Sequence, residues 1–282
     1  MTDADAPLVI EDRCTLALVR RLAAMLDRDP AALREGDPLP FGWQTTMFNL
    51  PTRQSALRAD GAGDLAVPLP DLGLPRLMLG GRRVRFDAPV PIGARGRREA
   101  RRGEVREKTG RSGRFAVVPV EHRIFVEDGA EPAIVEVQEY VLREAAGARP
   151  ATPAAGEART AAPPDDGPVP QAERTLVADE RLLFRFSAIT DNPHRIHYDR
   201  PYAADVEGYP ALVVNGTIPS MFVLEMFRET VGREPTAIAS RNLSPMYAGR
   251  PLRLALARAP TGRRPWGRDA RGLVTRGAAP GR

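Results

Sequence analysis

Apolar residues recur along the chain with two different periods, and the changes of period outline the fold. From about Asp12 to Asp27, Leu18, Val19, Leu22, Met25 and Leu26 form one stripe while Arg13, Arg20 and Arg21 lie off it, which predicts an amphipathic helix. Further along the period is two. Val84 and Phe86 alternate with Arg83 and Arg85; Val118, Val120, Ile124 and Val126 share a face, as do Val135, Val137 and Val141. These runs predict strands. Thr109-Gly110-Arg111-Ser112-Gly113 predicts a hairpin turn between them. Residues 97–108 (RREARRGEVREK) have the propensity of a surface helix, and only their neighbours argue for a strand. From Thr217 to Val231 the pattern is apolar nearly all round, with polar side chains only at Glu225, Arg228 and Glu229. Such a helix is enclosed by other structure, and Pro219 in its first turn and Gly232 after its last fit its ends. Beyond it come short strand-like runs, Leu252 to Leu256 and Leu273 to Thr275. Antiparallel strands around a buried helix, a pattern suggested for both parts of the chain, predict an α+β fold.

Composition divides the 282 residues. Between Ala145 and Gln171, 18 of 27 residues are Ala, Pro or Gly, with one aliphatic side chain, Val169. A segment this poor in apolar surface cannot offset the entropy of its own ordering. It reads as a linker (145–171) between domains at 1–144 and 172–282. The single cysteine, Cys14, excludes an internal disulfide framework and a cysteine-based zinc cage, and fits a reducing cytoplasm. No apolar run approaches the roughly 20 residues of a membrane-spanning helix, which predicts a cytoplasmic chain with no membrane partner.

The net charge of +5 is unevenly spread, because residues 250–282 hold nine Arg against one Asp. A basic tail poor in aromatic residues and free of lysine is a weak nucleic-acid signal, so no nucleic-acid partner is expected. A localised arginine patch is equally suited to the phosphates of a carrier such as coenzyme A.

Two of the three histidines fall within four residues, in Asp191-Asn192-Pro193-His194-Arg195-Ile196-His197-Tyr198-Asp199. Imidazole is the side chain suited to proton transfer near neutral pH, and adjacent carboxylate and amide groups can fix its tautomer. Asn215-Gly216 stands immediately before the buried helix, where unpaired backbone N–H groups can hold a developing oxyanion. His122 shares parity with Val120 and Ile124 and reads as a hydrogen-bonded core histidine. Asp199-Arg200-Pro201 reads as a turn or cap. The i, i+3 histidine pair has no third ligand nearby, so no metal is expected.

Residues 186–216, FSAITDNPHRIHYDRPYAADVEGYPALVVNG, resemble the signature of the MaoC-like hydratases, closest to the HTD2-like and mesaconyl-C4-CoA hydratase branch. Residues 38–53, 79–100 and 107–113 resemble the FAS1-type dehydratase N-terminal domain of that branch. The resemblance implies a double hotdog, two curved antiparallel sheets each wrapped around a central helix. It implies a hydro-lyase that reversibly hydrates a 2-enoyl thioester or dehydrates the 3-hydroxyacyl form, without a cofactor. The substrate would be an acyl-CoA, such as a mesaconyl-C4-CoA-like ester, or a carrier-bound biosynthetic intermediate. His197 aligns with the catalytic histidine. Asn192 occupies the slot of the broader family's aspartate and His194 that of its asparagine, while Asp191 stands one position off the register. Gly216 matches the glycine whose N–H polarises the thioester carbonyl, and Asn215 replaces a histidine. The Arg-rich tail departs from the family's apolar last strands: either those strands are short and the arginines meet phosphate, or the domain end has degenerated. That departure, with Asn215, leaves a non-catalytic thioester-binding or partner subunit as the alternative. A monomer and a homodimer are both compatible with paired hotdog edges.

Overall fold

The computed structural model describes residues 7–63, 67–110, 113–144, 169–259, 262–269 and 272–278. Residues 145–168 of the Ala/Pro/Gly-rich stretch, the tip of the 109–113 turn and most side chains of the Arg-rich tail lie outside the described residues. Eleven strands form one continuous antiparallel sheet. In the N-terminal half these are β1 (Leu8–Arg13), β2 (Arg76–Phe86), β3 (Arg95–Arg102), β4 (Arg106–Gly110), β5 (Gly113–Val126) and β6 (Ile134–Arg143). The C-terminal half adds β7 (Pro170–Val177), β8 (Ala237–Asn242), β9 (Pro251–Ala259), β10 (Gly262–Asp269) and β11 (Gly272–Ala278). The order is β1-β3-β5-β6-β2-β8-β11-β10-β9-β7, with β4 on β5. The β2–β8 ladder, from Gly81 opposite Arg241 to Arg85 opposite Ala237, joins the two halves edge to edge.

Three helices pack on this sheet: α1 (Leu16–Met25), α2 (Glu180–Ile189) and α3 (Thr217–Val231). The apolar segment from Thr217 is enclosed as expected, with Ile218, Met221, Leu224, Met226 and Phe227 buried. Its polar stripe is not all solvated. Glu225 is buried and accepts from Trp43 Nε1 at 3.0 Å and from Arg28 Nη1 at 3.3 Å, and it pairs with Arg228. The first helix is shorter than its periodicity suggested, because Asp12 and Arg13 belong to β1, paired with Gly96 and Arg95. Helix α2 was not foreseen. Its N-cap is Asp179, whose carboxylate accepts from Leu182 N at 2.9 Å, and it buries Leu183, Phe186 and Ile189. Residues 95–102 and 106–110 are strands, so pairing with β5 overrides their helical propensity. The last strands run longer than the sequence indicated. β9 is apolar on both faces, with Leu254, Ala255, Leu256 and Ala257 fully buried, and β10 and β11 complete the ladder back to β8. Among the described residues no helix is long and apolar enough to cross a membrane.

The two halves fill their sheet faces differently. In the C-terminal half the fifteen-residue α3 lies against β7 and β9. In the N-terminal half the ten-residue α1 shares one apolar cluster with Val84, Phe86, Ile124 and Ile134 of the sheet. A second apolar cluster, around Leu74, Ala116, Val118 and Leu142, covers the far end of that face. The strip between is polar. On β6 the buried face is not the valine face: Glu136 is 5% exposed, whereas Val135, Val137 and Val141 are only half-buried. Arg82, opposite Gln138 in the ladder, is likewise 4% exposed.

Candidate active site

The segment after α2 is built by local hydrogen bonds. Thr190 Oγ1 closes the helix by donating to Phe186 O at 2.8 Å, and the chain reverses at Asp191, whose φ is +48°. Asn192 N then donates back to Ser187 O (2.9 Å), and Asn192 Oδ1 accepts from His194 N (3.2 Å). A 3₁₀ turn, Arg195–His197, follows. Asp199 accepts from Tyr202 N at 3.1 Å and pairs with Arg195 at 2.8 Å, which is the turn-and-cap role read from the sequence.

His197 is buried, and its Nδ1 lies 2.7 Å from the Val213 carbonyl oxygen. A carbonyl can only accept, so Nδ1 carries the proton and Nε2 presents a lone pair. Burial pushes the imidazole pKa down to about 4 against the opposing effect of that carbonyl, so the ring is neutral at physiological pH. His194 stands edge-on to it, with ring centroids 5.6 Å apart. Its pKa is also lowered by burial, partly opposed by Asp60.

Asp60 is the residue that the sequence reading missed. It comes from the N-terminal half, is buried, is held by Arg58 (3.1 Å) and the Ala62 N–H (2.9 Å), and places Oδ2 4.0 Å from His194 Nε2. Its carbonyl accepts from Arg195 N at 2.8 Å. Gly61 makes this approach possible: φ is +82°, and a Cβ there would lie 2.3 Å from the Pro193 carbonyl oxygen. An aspartate in a Gly-rich loop far from the histidines in sequence carries no local motif that could have revealed it.

Asn215 Oδ1 accepts from Thr217 N at 2.9 Å and so caps the start of α3. Gly216 adopts helical φ and ψ (−62°, −12°), and its N–H has no acceptor among the described residues. Asp191, Asn192, His194, His197, Asn215 and Gly216 all line one cavity of about 2000 Å³, Asp191 at its exposed rim. The N-terminal half supplies the opposite wall, including Arg82, Arg98, His122, Glu136, Gln138 and Tyr140. His122 is buried, as its parity required, and Gln138 acts on it as a hydrogen-bond partner, although neither ring nitrogen makes a bond of good geometry. No three His, Cys, Asp or Glu side chains among the described residues converge as a metal-ligand set.

The arrangement supplies a neutral buried base with a fixed tautomer, a second histidine facing a carboxylate, and a free backbone N–H at a helix start. Such a set can move a proton while holding charge that develops on a carbonyl oxygen. Comparison with known proteins gives the same direction. Residues 42–248 match the family model described as hydroxyacyl-thioester dehydratase type 2. The chain is 38% identical over 245 residues, 87% of its length and 84% of the relative's, to a mesaconyl-C(4)-CoA hydratase of Chloroflexus aurantiacus. A MaoC-like dehydratase of Phytophthora capsici superposes with a TM-score of 0.68 at 12% identity, over 99% of this chain and 96% of that one. A double-hotdog protein of Mycobacterium tuberculosis superposes with a TM-score of 0.58 at 14% identity, over 98% and 97%. At these identities the structures speak to the fold, and the fold is the double hotdog.

Proposed function

The chain belongs to the hydroxyacyl-thioester dehydratase type 2 family, and from that premise we propose that it reversibly adds water across the C2–C3 double bond of a 2-enoyl-CoA, with His197 as the acid–base group. Water at His197 Nε2 gives up a proton to the imidazole as its oxygen bonds to C3. The π electrons shift through C2 to the thioester oxygen, where the Gly216 N–H meets the enolate charge. The proton then passes from the imidazolium to C2. In dehydration the same base removes the C2 proton and returns it to the departing hydroxyl. The observation that carries this reading is the His197 Nδ1 contact to the Val213 carbonyl, which leaves Nε2 as an acceptor on the cavity wall.

A base held neutral by burial remains available across the neutral range without competing protonation. Asn192 cannot abstract a proton, and its Oδ1 is occupied by the His194 N–H, so it supports the loop rather than the chemistry. His194 lines the cavity and is placed to orient water or the C3 hydroxyl, with Asp60 behind it as a positioning carboxylate. Asn215, in place of a histidine, leaves the Gly216 N–H free by capping the next residue, which supports retained activity.

The test is loss of enoyl-thioester absorbance with crotonyl-CoA and mesaconyl-C4-CoA, His197→Ala beside the wild type. Turnover by the wild type that falls at least about 100-fold in the variant is expected for removal of a general base. Binding of the CoA esters without turnover in either protein would overturn the proposal.

A further inference from the structure

The reaction assigned to His197 and Gly216 leaves the opposite wall of the cavity unused, and that wall is unlike the interior of a fold. Arg82, Arg98, His122 and Glu136 project from β2, β3, β5 and β6 onto the buried face of the N-terminal sheet, between two apolar clusters. Buried polar atoms are nearly always hydrogen-bonded. Here Arg82 Nε, Arg98 Nε and both nitrogens of His122 are buried without a hydrogen bond of good geometry.

The charges do not balance. Glu136 is held below the usual carboxylate range by Arg82, its closest charged neighbour, against strong desolvation. Its oxygens are committed to Gln138 Nε2 at 2.8 Å and Gln44 Nε2 at 3.4 Å. Arg82 Nε approaches it only to 3.7 Å. The Arg98 side chain donates no hydrogen bond to a described residue. The other carboxylate that acts on it, Asp12, is occupied by the Phe48 and Arg13 N–H groups, each at 2.7 Å. One buried guanidinium group, Arg82, and one half-buried, Arg98, thus face one carboxylate already in use. An uncompensated buried charge is costly, and a guanidinium offers its donors in a fork that fits a carboxylate.

Position narrows the ligand. Arg82 Nη1 lies 3.4 Å from Thr217 Oγ1, the residue after Gly216, so the cluster adjoins the place where the thioester carbonyl docks. An anion held by Arg82 must sit within a few bonds of that carbonyl, while Arg98, three ladder steps away on β3, closes the far side of the cluster. The carrier's phosphates are a whole pantetheine arm away from it. We infer that Arg98, with Arg82 and His122, forms a carboxylate pocket that selects acyl groups bearing a free carboxylate on C3. This rests on the docking of the thioester at Gly216 proposed above. His122, neutral and a donor through one nitrogen, adds a hydrogen bond without another charge.

The experiment separates pocket from chemistry by using saturated esters, which cannot be hydrated. Succinyl-CoA and butyryl-CoA differ at C3 by a carboxylate in place of a methyl group. Equilibrium binding to the full chain should favour succinyl-CoA by at least about tenfold, the scale of one charged hydrogen bond. Arg98→Met should erase that preference, with Arg98→Lys and His122→Gln reducing it in the same sense should the methionine variant fail to fold. A wild-type preference for butyryl-CoA, or none, overturns the pocket even where enoyl-CoA turnover is intact. An equal loss of both esters in Arg98→Met places the arginine on the carrier and also overturns it. A clear succinyl preference in a protein that hydrates no enoyl-CoA would support the pocket and sink the hydratase reading instead.

Discussion

Gly216→Ala isolates the oxyanion donor, because the structure supplies one specific obstacle to it. The backbone there is helical (φ −62°), so alanine meets no conformational penalty. The added Cβ, however, would stand 2.2 Å from Asn242 Nδ2 and 3.0 Å from its Cγ. Relief requires either that the start of α3 withdraw by about 1 Å or that Asn242 rotate away and surrender its 3.1 Å bond to the Leu79 carbonyl. Overpacking of this kind costs roughly 1–3 kcal/mol. Withdrawal also carries the Gly216 N–H away from the enolate oxygen, and a donor lost there costs about 100-fold or more in kcat. The assay is kcat/KM for enoyl-CoA hydration beside a thermal melt, for Gly216→Ala and for Gly216→Ala/Asn242→Ala. The single variant should lose about 100-fold, and the double should recover at least tenfold. Wild-type activity in the single variant, or a double variant no better than the single, would refute the steric argument and with it the placement of the oxyanion site.

Three further outcomes follow from the buried charges. His122 and His197 both titrate near 4 in the fold against 6.5 in the unfolded chain, so acid protonates the unfolded state first. Stability should be level above about pH 7 and fall from there toward pH 4 by about 1–3 kcal/mol per histidine; a melting temperature independent of pH across that window would contradict the burial argument. Glu225→Gln removes the charge that Arg28 and Arg228 share with the Trp43 N–H, at an expected cost of about 3–5 kcal/mol, and a melting point within 2 °C of wild type would show the network to be dispensable. Asp60→Asn removes the carboxylate that opposes desolvation at His194, so the His194 titration, followed by proton NMR, should move to still lower pH. An unmoved titration would mean that the 4.0 Å approach carries no coupling.

What the sequence revealed and what it hid divide along physical lines. The ends of α3 were legible because proline, glycine and an all-round apolar pattern are local signals. The His194–His197 segment was legible because histidine is rare in this chain and the surrounding residues carry a family signature. The short α2 was not, since Glu180–Ile189 mixes Arg181 and Arg185 with an exposed Phe184 and shows a narrow stripe. The buried face of β6 was not legible. Valines at 135, 137 and 141 imply a core, yet the face turned inward holds Glu136, Gln138 and Tyr140. A hydrophobic rule fails where a sheet lines a site instead of a core, and the failure itself marks the site. Asp60 and Arg98 depend on contacts between the halves or across strands, which no local pattern encodes.

The unequal helices give this fold its asymmetry of function. A sheet face covered by a long helix has no room for a ligand, so the half that encloses α3 offers its chemistry only at the helix start and in the segment leading to it. The other half, with a helix five residues shorter, leaves the middle of its sheet uncovered, and polar side chains there become cavity wall. Neither half holds a complete site. On the proposed reaction the base and the oxyanion donor stand on one, and the cationic wall, with Asp60 behind His194, on the other. The β2–β8 ladder, the Glu225 network and the close passage of Gly61 over Pro193 fix their relative position. A shift of about 1 Å between the halves would therefore separate the acyl group from the base without unfolding either one. On the proposed reaction the continuous sheet is consequently a requirement of the chemistry as well as of stability.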